Sequence, residues 1–313
     1  MANVHLVCEG KMDSLDRRLL VAVLVRKLNV SVQVTAAGGE RDLGGVASWL
    51  DEISRQPQPN GSYSAPHDHA VAIEDRNFHP RTRAADAWNN SSGKRLVWHR
   101  HEIENYLLEP AVVHGAFASF RRTVSDPWVQ NLPADEVGAA GLLETLAQPL
   151  LPHQAGGVLV EELRVQKGNV GGTDMGCRPR PPAGAAYAGR PEWIQALTTE
   201  IARLQQAFTD IAALPALQPP TIESRYDAIM AELQRPSFLQ NREHLIDLPG
   251  KELLATLLQH LRNLGARRLS QAGLEDELLT SFEQTYRPGT LYQPDEFEML
   301  AKRLTALAAS HIP

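Results

Sequence analysis

A chain of 313 residues, 43% of them hydrophobic, can bury a sizeable core and predicts two domains, or one domain with a large elaboration. Its net charge of −6 excludes a generally basic nucleic-acid coat, although a locally basic groove stays open because partners respond to charge distribution. Two cysteines, Cys8 and Cys177, give neither a disulfide framework nor metal-ligand spacing. With no signal peptide and no long uncharged apolar run, the expectation is a soluble, cytoplasmic protein.

The first predicted element is a strand, His5-Leu6-Val7-Cys8, stopped by Glu9-Gly10-Lys11. Ser14 reads as a helix N-cap ahead of Leu15, Leu19, Leu20, Val23 and Leu28 at helical spacing. A carboxylate at a strand's C-terminal end, with a glycine beside it, sits where open α/β sheets put their chemistry. Asp13 lies four residues after Glu9, so a helical turn would bring both acids to one side. Residues 30–34 alternate apolar and polar as a half-buried strand does, and residues 46–53 suit a second helix. Residues 55–69 are rich in Pro, Gly, Ser, Asn and His and read as an exposed loop. Ala70-Val71-Ala72-Ile73 is a third strand, with Glu74-Asp75-Arg76-Asn77-Phe78 at its end. Residues 95–98 give a fourth strand, running into a short helix over 101–108 that Pro110 closes or kinks. Strands alternating with helices over residues 1–110 predict a small, mostly parallel α/β sheet flanked by helices.

The remainder is helical in character. Residues 111–163 carry helical patterning broken by Pro127, Pro133, Pro149 and Pro152, and residues 167–190 form a Gly/Pro-rich loop. Ile194, Leu197, Ile201, Leu204, Phe208 and Ile211 make an apolar seam about three heptads long. With the helix begun by Ile222, Tyr226, Ile229, Met230 and Leu233 it predicts an antiparallel hairpin over 192–235; internal packing accounts for it more readily than a homo-oligomer contact. Residues 241–313 complete the chain with a strongly apolar helix after Pro249-Gly250-Lys251 and two more at about 273–284 and about 295–310. The expected organisation is thus an α/β domain over 1–110, a helical elaboration over 111–240 and C-terminal helices over 241–313.

Three acidic clusters fall at predicted strand ends: Glu9 with Asp13, Glu74 with Asp75, and Glu102 with Glu104. Strand ends converge in a parallel sheet, and converging carboxylates repel unless a cation joins them. Hard oxygen ligands favour Mg²⁺ or Mn²⁺, which can activate water and stabilise a phosphodiester under in-line attack. Arg76, Arg81, Arg83, Lys94, Arg95 and Arg100 lie beside these acids, with Asp86 the single acid among them, and could draw in a polyanion. Trp88 and Trp98 offer stacking faces, though packing roles suit them better. His101-Glu102-Ile103-Glu104-Asn105 lacks the second histidine of a zinc-protease motif, and His67-Asp68-His69 lacks matching ligands. No Walker A loop or serine nucleophile elbow is present.

Taken together, Val7-Cys8-Glu9-Gly10-Lys11-Met12-Asp13, Ile73-Glu74-Asp75-Arg76-Asn77-Phe78, the block from Arg100 to Leu108, and Pro249-Gly250-Lys251 resemble the motifs of a TOPRIM domain of the OLD-like nuclease family. The resemblance covers residues 1 to about 110 and the segment near 251. It implies a metal-dependent nuclease, an effector of antiviral (anti-phage) defence controlled by a partner ABC-type ATPase. It also implies that Glu9, Asp75 and one or both of Glu102 and Glu104 hold Mg²⁺ or Mn²⁺, that Asp13 and Asn77 assist, and that Lys251 neutralises the transition state. One departure stands out: the second aspartate of the family's DxD is Asn77, a neutral ligand, which implies weaker cation affinity and one metal rather than two. The rival expectation is a TOPRIM-like interaction subunit that docks on the ATPase without cutting. A primase or topoisomerase fits less well, since nothing suggests a DNA-cleavage domain with a nucleophilic tyrosine.

Overall fold

A computed structural model of the chain describes residues 4–38, 45–46, 69–90, 94–171, 189–207, 218–289, 291 and 295–309. Four strands, β1 (Val4–Cys8), β2 (Gln33–Ala36), β3 (His69–Glu74) and β4 (Arg95–Val97), form an all-parallel sheet in the order β2-β1-β3-β4. β1 and β3 are apolar throughout their middles because helices cover both faces of such a sheet. Cys8 pairs with Ile73 and Glu74 with Val97, so the C-terminal ends of β1, β3 and β4 lie side by side. The chain runs from β1 to β2 on one side and returns to β3 on the other. The order therefore reverses between β1 and β3, which opens a crevice at their carboxyl ends.

The second strand begins three residues later than its alternation suggests. Helix α1 (Leu15–Leu20) continues through Val21–Lys27 with wider hydrogen bonds, Leu28 N–H donating to Val23 O at 2.9 Å, and Asn29 then takes a left-handed φ of 53°. The Val30 N–H donates back to Leu24 O at 2.8 Å, which ties the start of the expected strand to the end of the helix. Helices α2 (Arg81–Asn89), α3 (Glu104–Leu107), α4 (Pro110–Thr123), α5 (Glu136–Ala147) and α6 (Leu151–Gly171) follow. Pro110 opens α4 as well as ending the segment before it, because a proline in the first helical turn forfeits no hydrogen bond. α6 extends through residues 167–171, the start of the expected Gly/Pro-rich loop. The rest of that loop over 172–188, most of the expected helix over 46–53, the loop over 55–68 with His67 and Asp68, and the seam positions Phe208 and Ile211 lie outside the described residues.

Helices α7 (Arg190–Ala207) and α8 (Pro219–Leu233) are both present, but α8 packs more extensively on α6 than on α7. Leu197 and Ile201 of the seam are buried inside the protein, with Ile194 partly buried and its neighbour Trp193 buried. The C-terminal part comprises α9 (Pro236–Gln240), α10 (His244–Asp247), α11 (Gly250–Leu264), α12 (Gln271–Thr285) and α13 (Glu296–Ala309). One hydrophobic core runs continuously from Val4 in β1 to Leu304 in α13. The C-terminal helices thereby share a core with the sheet, and α11 brings its first turn to the β3 end. No helix among the described residues is long and apolar enough to cross a membrane.

Candidate functional site

The site forms where β1 and β3 stop. Gly10 turns the chain with φ 84°, and a Cβ there would stand 2.7 Å from Ser14 Cβ and 3.0 Å from Asp16 Oδ2. Glycine thus meets both the backbone angle and the close return of α1. The turn leaves Glu9 facing the crevice, where its Oε1 accepts the Asp75 N–H at 3.0 Å. Asp75 is 5% exposed, and its Oδ1 accepts the Ile103 N–H at 3.1 Å. Backbone pairing carries β3 and β4 a little past their strands: Trp98 N–H donates to Glu74 O at 3.0 Å, and Asn77 N–H donates to His101 O at 2.9 Å.

α11 supplies the fourth side. Glu102 Oε2 accepts the Lys251 backbone N–H at 2.9 Å, an amide left without an intrahelical partner at the start of a helix. The Lys251 ammonium lies 3.1 Å from Glu102 Oε1, 3.5 Å from Asp75 Oδ2 and 4.0 Å from Glu104 Oε2. Asn105 clamps the two segments, its Nδ2 donating to Leu248 O at 2.9 Å and its Oδ1 accepting the Glu102 N–H at 2.9 Å. A Cβ at Gly250 would meet Asn105 Oδ1 at 2.7 Å, so only glycine allows α11 this close.

Five carboxylates therefore gather here: Asp75, Glu102 and Glu104 around the Lys251 ammonium, with Asp16 close enough to feel its charge and Glu9 beside Asp75. Burial pushes the Asp75 carboxyl well above the usual range; Lys251 opposes the rise, and Asp16, Glu104 and Glu9 add to it. Glu104 is pushed up to about 7, by burial first and then by Glu102 and Asp16, against the pull of Lys251. Asp16 is raised by burial and by Glu102 while Lys251 pulls it back. Burial works to lower the Lys251 ammonium, but Asp75, Glu102 and Glu104 overcome it and hold the lysine charged.

The structure gathers Glu9, Asp75, Glu102, Glu104 and Lys251 as the sequence suggested. Asp13 is solvent-exposed in the turn, and Asp16 takes the place expected for it. The reason is Gly10: the left-handed turn swings residues 11–13 outward before α1 returns its first turn to the crevice. Asp16 is an acid in the first turn of a helix whose neighbours Leu15, Leu19 and Leu20 are buried, a signal present in the sequence. Asn77 is half-buried with φ 51°, a backbone angle asparagine tolerates. Glu74 faces elsewhere, bonded to Arg83 at 2.7 Å and to Arg95.

The cations expected at a nucleic-acid surface are largely engaged inside the protein. Arg76 is 3% exposed and donates to His99 O, His79 O, Ile246 O and Asp247 Oδ1. Arg100 is 1% exposed, bonds Glu109 and Asn105 O, and lies 4.4 Å over the Tyr106 ring. Both guanidinium groups are buried and tie neighbouring segments together rather than facing solvent. Arg81 pairs with Asp247 and Glu243 while staying partly exposed, and Lys94 is exposed. Trp98 is buried and Trp88 half-buried, its indole N–H donating to Val97 O at 2.8 Å.

Among the described residues, no three His, Cys, Asp or Glu side chains stand at metal-coordination spacing. Lys251 sits between three of the acids. The donor set nevertheless suits a hard divalent cation. It is all oxygen, its acids outnumber the one ammonium, and among the described residues Glu104 Oε2 is buried with no hydrogen-bond partner. Comparisons with protein-family models, curated proteins and solved structures find no match to the chain.

Proposed function

We propose that the carboxylate cluster is the metal site of a nuclease that hydrolyses phosphodiester bonds in DNA or RNA with Mg²⁺ or Mn²⁺. The observation that supports this best is the joining of Glu9 and Asp75 at the β1/β3 reversal, with Glu102 and Glu104 against the same lysine. Glu9, Asp75, Glu102 and Glu104 hold the cation, with Asp16 beside them. A bound cation supplies charge neutralisation and a more acidic water. Within the chain, Glu9 and Asp75 are oriented by the Asp75 and Ile103 amides, and one carboxylate of the cluster serves as general base. Lys251 offers a mobile positive charge to the phosphate. By the motif resemblance, the activity serves anti-phage defence and is controlled by an ABC-type ATPase.

A second reading, a docking subunit that does not cut, is favoured by one observation: of the cations expected to meet nucleic acid, Arg76 and Arg100 are buried and Arg83 and Arg95 are paired with Glu74. The full chain, alone and with its ATPase, should be offered DNA and RNA with Mg²⁺ or Mn²⁺. Cleavage that disappears in Glu9→Ala and Asp75→Asn supports the nuclease. Cleavage unchanged in both variants refutes it, and a stable ATPase complex without cleavage selects the docking subunit.

A further inference from the structure

We infer that Lys251 is a displaceable internal counter-ion, whose ammonium neutralises the cluster until a divalent cation drives it off the carboxylates towards solvent. The inference rests on the metal-binding part of the function proposed above and concerns how that site is kept and released.

Four observations carry it. The Lys251 ammonium lies within 4.0 Å of Asp75, Glu102 and Glu104, inside the space a shared cation would occupy. The side chains differ in freedom: Lys251 is 55% exposed, while those of Asp75, Glu102 and Glu104 are 4%, 10% and 9% exposed. The lysine can swing on its four-carbon stem, whereas the acids are fixed by the Ile103 and Lys251 amides and by burial. The Lys251 backbone is anchored through its N–H to Glu102 Oε2, so displacement moves the head without moving α11. Finally, among the described residues Glu104 Oε2 is buried without a hydrogen-bond partner, so the lysine satisfies the cluster incompletely.

A single ammonium is a poor match for five carboxylates. A divalent ion brings twice the charge and approaches carboxylate oxygens at about 2.0–2.6 Å, closer than an ammonium can. The two cations would repel each other in a partly desolvated site, so they exchange rather than share. Displaced outward, the ammonium stays tethered one side-chain length from the cluster, where an incoming phosphate would meet it.

The test uses Mn²⁺ alone as the probe. Calorimetry and the loss of the free Mn²⁺ resonance signal should give the Lys251→Met chain an affinity roughly tenfold higher than the parent, in the range typical of coupled sites. Binding by Lys251→Met alone would show a lysine that Mn²⁺ cannot drive off, and it overturns the exchange. Equal or weaker binding by the variant overturns it while leaving the metal site standing; absence of binding in both chains overturns the metal site and the exchange together. A second measurement needs no variant. Acylation of the parent chain, followed by peptide mass spectrometry, should show Mn²⁺ accelerating modification of Lys251 severalfold and leaving Lys302 unchanged. Slower or unaltered modification of Lys251 in saturating Mn²⁺ overturns the proposal.

Discussion

At position 10 the backbone φ of 84° and the approach of Ser14 and Asp16 act on the same residue, so any side chain there meets strain and contact at once. Gly10→Ala should lower urea stability by about 2 kcal/mol and loosen Glu9 from the Asp75 amide. His244 tests the interior by pH. It is 2% exposed, and burial, aided by Arg242, holds its imidazole down at about 4 against an ordinary value of 6.5. The folded state thus resists protonation: its full stability is present above pH 6.5 and is lost as pH falls towards 4. His244→Leu should flatten the decline between those values by about 3 kcal/mol at most, measured by urea titration across pH. At this scale Glu9, Asp75 and Lys251 were legible because each sits at an element boundary. Asp16 was missed because its spacing from Glu9 favoured Asp13; its place in the first turn of α1, among Leu15, Leu19 and Leu20, was the signal that marked it.

The elements were legible where local chemistry decides them. The apolar runs of β1 and β3 and the leucine stripe of α11 form as their patterns indicate. Prolines were harder to read, since the same residue stops one helix and starts another, as Pro110 does. The arginine run after β3 was least legible of all. Arg76 reads as surface charge until Ile246 and Asp247, about 170 residues away, fold against it. Its guanidinium ties the loop after β3 to the 99 region and to α10. Arg76→Ala should destabilise the protein by about 3–5 kcal/mol, as removal of one partner of a buried ion pair does. Arg76→Lys should recover little, because an ammonium cannot replace a planar fork that serves four acceptors. Chemical denaturation of both variants distinguishes loss of charge from loss of geometry.

The whole molecule places its acids around the carboxyl ends of the strands and their counter-charge on α11, in elements that share one continuous core. Cation binding should therefore raise the thermal midpoint of the entire fold cooperatively. Saturation at 100 times Kd contributes about 2.7 kcal/mol, and Asp75→Asn should abolish the shift in a Mg²⁺ or Mn²⁺ melting series. The dependence of the cluster on Lys251 also has a consequence in time. Roughly 240 residues separate Glu9 from Lys251, so a ribosome adding about 5–20 residues per second takes some ten to fifty seconds to pass from one to the other. Throughout that interval the nascent chain holds its strand-end acids without the lysine or the first turn of α11. The cluster closes only after α11 and the helices that share its core have emerged.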